Sequence, residues 1–255
     1  MGALVKIFPA VLVPVLALRL LVRRNPRGLA GLLGSFALVI GLVMTPFLVA
    51  AGTGALSFVD YQDARGLQIE SLPGGLVLLA NELVGVGATI AWFYRAFEVV
   101  SPINDVLLSV QTPLMVVLLA VVLASFWLRF RDDMRTLGRV SWEAIAASIV
   151  AAVLALIVTN KVLSPQYLIW LLPFGALLRR GPLLLLSAAC GLTTLIWPVF
   201  YEQLLALDAP VIVLLNVRNL VLCVLLGWLL IPAATSRAMP SWPGVAGERP
   251  SPTVA

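Results

Sequence analysis

The feature that most constrains this chain is a series of apolar runs, each close to the roughly 20 residues that an α-helix needs to cross a bilayer core of about 30 Å. Seven can be marked: Leu4–Val22, Leu29–Ala50, Val110–Leu128, Ala144–Leu163, Ser164–Leu178, Leu183–Phe200 and Val211–Ile231. Only 11% of the 255 residues are charged and 61% are hydrophobic, whereas soluble domains carry about 25% and 45–50%. Sequences such as Leu183-Leu184-Leu185-Leu186 lack the strand alternation of a membrane barrel. Within lipid the backbone must satisfy its own hydrogen bonds, so the runs are expected to be helices. The expected fold is an all-α polytopic membrane protein with about seven transmembrane helices, forming one domain over 1–232. The segment 233–255, with Pro240, Pro243, Pro250 and Pro252, reads as a disordered cytoplasmic tail.

The formal charge of +5 is unevenly spread. Arginines cluster in the connections around Arg23, Arg131 and Arg179 and in the tail, as cytoplasmic loops do. With those regions inside, the outer side holds four basic residues against eight acidic ones, and the inner side twelve against four, leaving Arg218 within a span. The basic excess is thus a topology signal and not a nucleic-acid footprint. The connection 51–109 then lies outside, long enough to hold amphipathic or re-entrant helices. Its stretch Pro73–Trp92 is apolar enough to be an eighth span, except for Asn81 and Glu82. This orientation puts the N-terminus outside without a charged signal region, so the chain is expected to be the C-terminal portion of a longer protein.

Histidine is absent, which removes the usual neutral-pH base, imidazole metal ligands and His-based triads. Cys190 and Cys223 lie in apolar runs, so a zinc site or disulfide framework is not expected. Chemistry must rest on carboxylates, cations, amides and aromatics, and three clusters supply them. Asp60 to Leu72 carries Asp60, Asp63, Arg65, Gln68 and Glu70. It suits phosphate and sugar hydroxyls, or is a solvated loop with Arg65 paired to Asp63 or Glu70. Asn160 to Pro173 places Lys161 beside a proline-broken turn, where Ser164, Gln166 and freed backbone amides could hold an anionic headgroup. Tyr167 and Trp170 share one helix face there; the plainer reading is an aromatic belt with a snorkelling lysine. Arg218-Asn219 sits inside the last run, a functional position unless Arg218 pairs with Glu202 or Asp208 or snorkels outward.

The motifs resemble those of glycosyltransferase family 87 and related membrane mannosyltransferases of the GT-C superfamily. Lys161 to Pro173 is similar to the signature K-x-x-S-P-Q-Y/F-L-x-W-L-x-P, and Arg65 to Ser71 to R-G-x-Q-x-E-S. Lys6-Ile7-Phe8-Pro9 with Pro14 is similar to K-x-x-P…P. The resemblance implies transfer of a hexose, often mannose, from a polyprenyl-phosphate donor to a lipid or glycan acceptor on the external face of a bacterial plasma membrane, with no cofactor and a divalent cation optional. It implies Lys161, Arg65 and Arg218 at the donor phosphate, Gln68, Glu70 and Gln166 at sugar or acceptor, and Tyr167 and Trp170 along the pocket. The catalytic base of such enzymes lies in the first external loop, upstream of this chain; Asp60, Asp63 and Glu70 are the carboxylates available here. A transporter or flippase-like binder of lipid phosphates, or a non-catalytic membrane subunit, are the alternatives.

Overall fold

The computed structural model describes residues 8–231; Lys6, Ile7 and the tail from Ala233 lie outside the described residues. The chain runs through α1 (Leu12–Val22), α2 (Pro26–Ala51), α3 (Ser57–Asp63), β1 (Leu67–Gln68), α4 (Leu72–Val84), β2 (Thr89–Phe93) and β3 (Ala96–Val100). It continues through α5 (Asn104–Leu137), α6 (Trp142–Thr159), α7 (Gln166–Ile169), α8 (Leu172–Gly175), α9 (Arg180–Thr194), α10 (Tyr201–Leu205) and α11 (Ala209–Leu230). Among the described residues, five segments are long and apolar enough to cross a membrane: Pro26–Asp63, Asn104–Leu137, Trp142–Thr159, Arg180–Val199 and Ala209–Leu230. The molecule is a mostly helical membrane protein.

The centre of the bundle is α6. Its apolar residues from Ala144 to Val158 are nearly all buried, in one core with Val122, Phe126 and Phe130 of α5, Leu186 of α9 and Leu222 and Leu225 of α11. Small residues explain how neighbours approach from all sides: Ala146, Ala147, Ala151, Ala152 and Ala155 offer little bulk. Its start is fixed by Ser141, whose hydroxyl accepts from Ala144 N–H. Asp133 Oδ2 in turn accepts from both the N–H and the hydroxyl of Ser141, at 2.9 and 2.6 Å. That carboxylate closes the α5–α6 turn.

One expected span is corrected. Ser164–Leu178 forms no spanning helix but two single turns, α7 and α8, of four residues each. Pro165 and Pro173 lack the N–H that helix continuation requires, and Leu168 and Leu171 anchor the broken segment in the main core. The described part of Leu4–Val22 is a 3-10 turn, Phe8–Val11, followed by the 11 residues of α1. Nor does Pro73–Trp92 form one helix. Here α4 stops at Val84, where Gly85 turns left-handed at φ 67° and returns its N–H to Asn81 O. Asn81 Oδ1 then accepts from Ala88 N–H, while Glu82 is exposed.

The connection 51–109 contains a feature outside the all-α expectation: an antiparallel sheet in the order β1-β3-β2. Leu67 pairs with Val99, Gln68 with Glu98, and Trp92 with Phe97. Its buried positions are Leu67, Gln68, Ala96, Glu98 and Val99, while Trp92 and Phe93 of β2 are exposed. Tyr94 and Arg95, both at positive φ, form the hairpin tip, and Tyr61 donates its hydroxyl to Tyr94 O at 2.7 Å. Leu67, Ile69, Val77, Leu78 and Val99 make a second core with Ile196, Leu204, Ile212 and Leu215. The connection is therefore docked on one end of the bundle.

The helix directions give the bundle two chemically different ends. At the end holding the α1–α2, α5–α6 and α8–α9 turns, the described residues include ten arginines and three carboxylates. The other end holds Arg65, Arg95 and Lys161 against eight carboxylates. We predict that, in a chain with Cys190 and Cys223 replaced by serine, single cysteines at Gln62 and Arg131 react on opposite sides of a sealed membrane. Labelling of both by an impermeant maleimide in intact cells would refute this two-ended arrangement.

Candidate functional site

The site is built where the segment from Asp63 to Gly75 crosses the acidic end. Between α3 and α4 that segment has only the two-residue strand β1 as regular structure, so its backbone must find partners elsewhere. Lys161, just after α6, grips it twice: Nζ donates to Asp63 O at 2.8 Å, and Lys161 O accepts from Gln68 N–H at 2.8 Å. Further along, side chains of α11 take over. Arg218 Nη2 donates to Glu70 O at 2.8 Å, Asn219 Nδ2 to Ser71 O at 3.4 Å and Asn216 Nδ2 to Gly75 O at 2.9 Å. Ser71 closes the turn locally, donating its hydroxyl to Gln68 O and accepting from Gly74 N–H to cap α4.

Two glycines permit this approach. A Cβ at Gly74 would strike Gln68 O, and one at Gly75 would come within 2.9 Å of Asn219 Nδ2. With larger residues α4 could not enter against α11, and the segment could not be read by its asparagines.

The upper tier gathers Arg65, Lys161 and Glu98. Glu98 is buried on β3; its Oε2 accepts from Gly66 N–H at 3.0 Å, and its Oε1 has no protein partner. Burial raises its carboxyl pKa, opposed by the Gly66 N–H and by the charges of Arg65 and Lys161. Burial lowers the Lys161 ammonium pKa, while Asp63 and Glu98 raise it and Arg65 lowers it further. Arg65 also acts electrostatically on Tyr167, which stacks on Trp170 with centroids 4.3 Å apart.

The lower tier is Glu70 with Arg218. Glu70 is 3% exposed and Arg218 is fully buried; Arg218 Nε and Nη1, Glu70 Oε1 and Gln68 Oε1 have no protein partner. Arg218 thus neither snorkels nor pairs with Glu202 or Asp208; it holds the Glu70 carbonyl. Tyr201 joins this tier: burial raises its hydroxyl pKa, with Glu70 and Glu202 adding to the rise, and its ring meets Trp197 and Phe97 edge-on.

The expected site residues separate accordingly. Arg65, Gln68, Glu70, Lys161, Tyr167, Trp170 and Arg218 come together across the two tiers. Ser164 contributes its carbonyl to the turn at Tyr167. Gln166 and Asp60 are exposed, and Asp63 enters through its backbone. Glu98, Tyr201 and Asn216 emerge only from the fold, although a carboxylate inside the apolar Ala96–Val100 was a readable signal for Glu98. Among the described residues no three carboxylates or cysteines gather as metal ligands.

Burial raises the Glu70 carboxyl from 4.5 to about 7, against the opposing charge of Arg218. The folded chain therefore holds a proton between pH 4.5 and 7 that the unfolded chain has released. This contribution to stability is complete below the lower value and is lost as pH rises through the upper one, a change of roughly 3 kcal/mol. The unfolding midpoint of the detergent-solubilised chain should fall across that window, and Glu70→Gln should flatten the fall. An unchanged pH slope in the variant would mean that the carboxyl is hydrated. Comparison with protein families, with curated proteins and with solved structures finds no match to this chain.

Proposed function

We propose that this chain is part of a membrane hexosyltransferase that uses a polyprenyl-phosphate sugar, with mannose as the first candidate. The observation carrying this reading is the meeting of Arg65 and Lys161, from positions 96 residues apart, over the buried Glu70–Arg218 tier. Two cations at the acidic end of a bundle of apolar helices suit an anion delivered by a lipid, whose chain stays in the bilayer. Buried amides and carboxylates beneath them suit sugar hydroxyls, which need acceptors and donors together.

In the proposed reaction, an acceptor hydroxyl oxygen bonds to the anomeric carbon as the bond from that carbon to the phosphate oxygen breaks. The electron pair leaves with the polyprenyl phosphate, whose growing charge Arg65 and Lys161 stabilise. A carboxylate takes the hydroxyl proton. Of the candidates on this chain, Asp60 and Asp63 are exposed, whereas Glu70 is covered by its own segment. The excess of arginine at the basic end supports a cytoplasmic position for it, and with it an external face for the proposed reaction.

The test is transfer of radiolabelled mannose from polyprenyl-phosphate mannose to endogenous acceptors in membranes carrying the full protein. Lys161→Ala and Arg65→Ala should each lower turnover by about 100-fold, the scale of losing one group that stabilises transition-state charge. Normal turnover in both variants would remove these residues from the site. Binding of polyprenyl phosphate without transfer would favour a lipid-phosphate carrier instead.

A further inference from the structure

The opposite end of the bundle carries a second site. A cavity of about 200 Å³ opens there, lined by Arg129 of α5, Glu143 of α6, Arg179, and Trp228 and Leu229 of α11. It continues into a groove of about 390 Å³ between α5 and the end of α11, bordered by Ser125, Phe126, Leu128 and Leu230. Both share Arg129, Leu229 and Ile231. The volumes far exceed the roughly 30 Å³ that a water occupies.

Charge and shape together limit what fits. Arg129 Nη2 and Arg179 Nε both reach Glu143 Oε1, at 3.1 and 2.6 Å, so two guanidiniums share one carboxylate and the triad stays positive. Asp132 borders the groove, but ten arginines face three carboxylates at this end of the described chain. Beside Arg179, α9 begins without a side-chain cap, and its N-terminus adds positive potential. From Arg129 the groove follows α5 back by one turn to Ser125, along Phe126 and Leu128 in the membrane-length part of the helix. A cationic pocket opening into an apolar groove has the polarity of one phospholipid: phosphate at one end, acyl chain at the other.

The geometry points to a binding site for an anionic glycerophospholipid of the leaflet at the basic end, with its phosphate at Arg129 and Arg179 and an acyl chain along Leu128 and Leu230, over a floor of buried Phe126 and Leu229. This site is separate from Lys161 and Arg65 and does not depend on any reaction there.

The test uses the full chain in detergent, probed with phosphatidylglycerol, phosphatidylcholine or inorganic phosphate while its thermal midpoint is followed. Phosphatidylglycerol at about a hundredfold excess over its Kd should raise the midpoint by roughly 5 °C or more, with little change from phosphatidylcholine. Arg129→Gln with Arg179→Gln should abolish that difference. Glu143→Gln keeps the shape and removes the competing charge, so it should strengthen phosphatidylglycerol binding severalfold. Leu229→Trp keeps every charge and fills the groove, and should weaken it. Equal shifts from both lipids, or a lipid-specific shift that survives the double variant, would overturn the site. An equal shift from inorganic phosphate alone would make it an anion site without a lipid. A shift that appears only after removal of 232–255 would assign the cavity to the chain's own tail.

Discussion

A charged side chain with no exposure must be held by acceptors, and in this molecule Arg218 sets the terms for everything around it. Placing an arginine at the centre of a membrane helix costs about 2.5–3.5 kcal/mol on insertion scales. Its hydrogen bond to Glu70 O offsets part of that cost and fixes where the connection must pass. Once Glu70 is held there, Ser71 O reaches Asn219 and Gly75 O reaches Asn216, so α4 enters at a set angle. The same register puts Gln68 opposite Glu98 and carries Gly66 N–H to its carboxylate. Removing the arginine would leave a backbone carbonyl and the buried segment Leu67–Ser71 without their main support.

The depth of this contact matters. Arg218 is the tenth residue of α11, which at 1.5 Å per residue lies roughly 14 Å below the start of the helix. The segment Gln68–Gly75 therefore dips well below the end of the bundle before α4 turns away. Irregular backbone at such a level is tolerated only where protein satisfies it. Three polar side chains of one helix, Asn216, Arg218 and Asn219, do so here by binding three successive stretches of carbonyl. Polar atoms that these bonds leave over, on Gln68, Glu70 and Arg218, are then grouped in one buried place.

Much of this was legible in local sequence. The spans of α2, α5, α6, α9 and α11 follow from apolar length, and the two ends from the arginines. Arg65 to Ser71 and Lys161 to Trp170 stood out because polar residues are rare in such a chain. What local reading missed is non-local. Pairing of Leu67 with Val99 joins positions 32 residues apart, and hydropathy windows carry no signal for it. Thr89–Val100 looks apolar in a window, yet it forms a hairpin, β2 with β3. Ser164–Leu178 looks like a span because hydropathy does not register the missing N–H groups of Pro165 and Pro173. Glu98 was legible as a charge, but its burial depends on the register with β1.

One helix makes contacts at both ends. Glu143 in the first turn of α6 holds Arg129 and Arg179, and Lys161, two residues beyond its last turn, holds Asp63 and Gln68. Between them α6 is buried almost throughout and packed by alanines, so its neighbours hold it closely on every side. Among the described residues the charges lie at the two ends, and Arg218 is the one carried deep in a spanning helix. That scarcity, imposed by lipid, concentrates its polar chemistry into two small places joined by one rigid element.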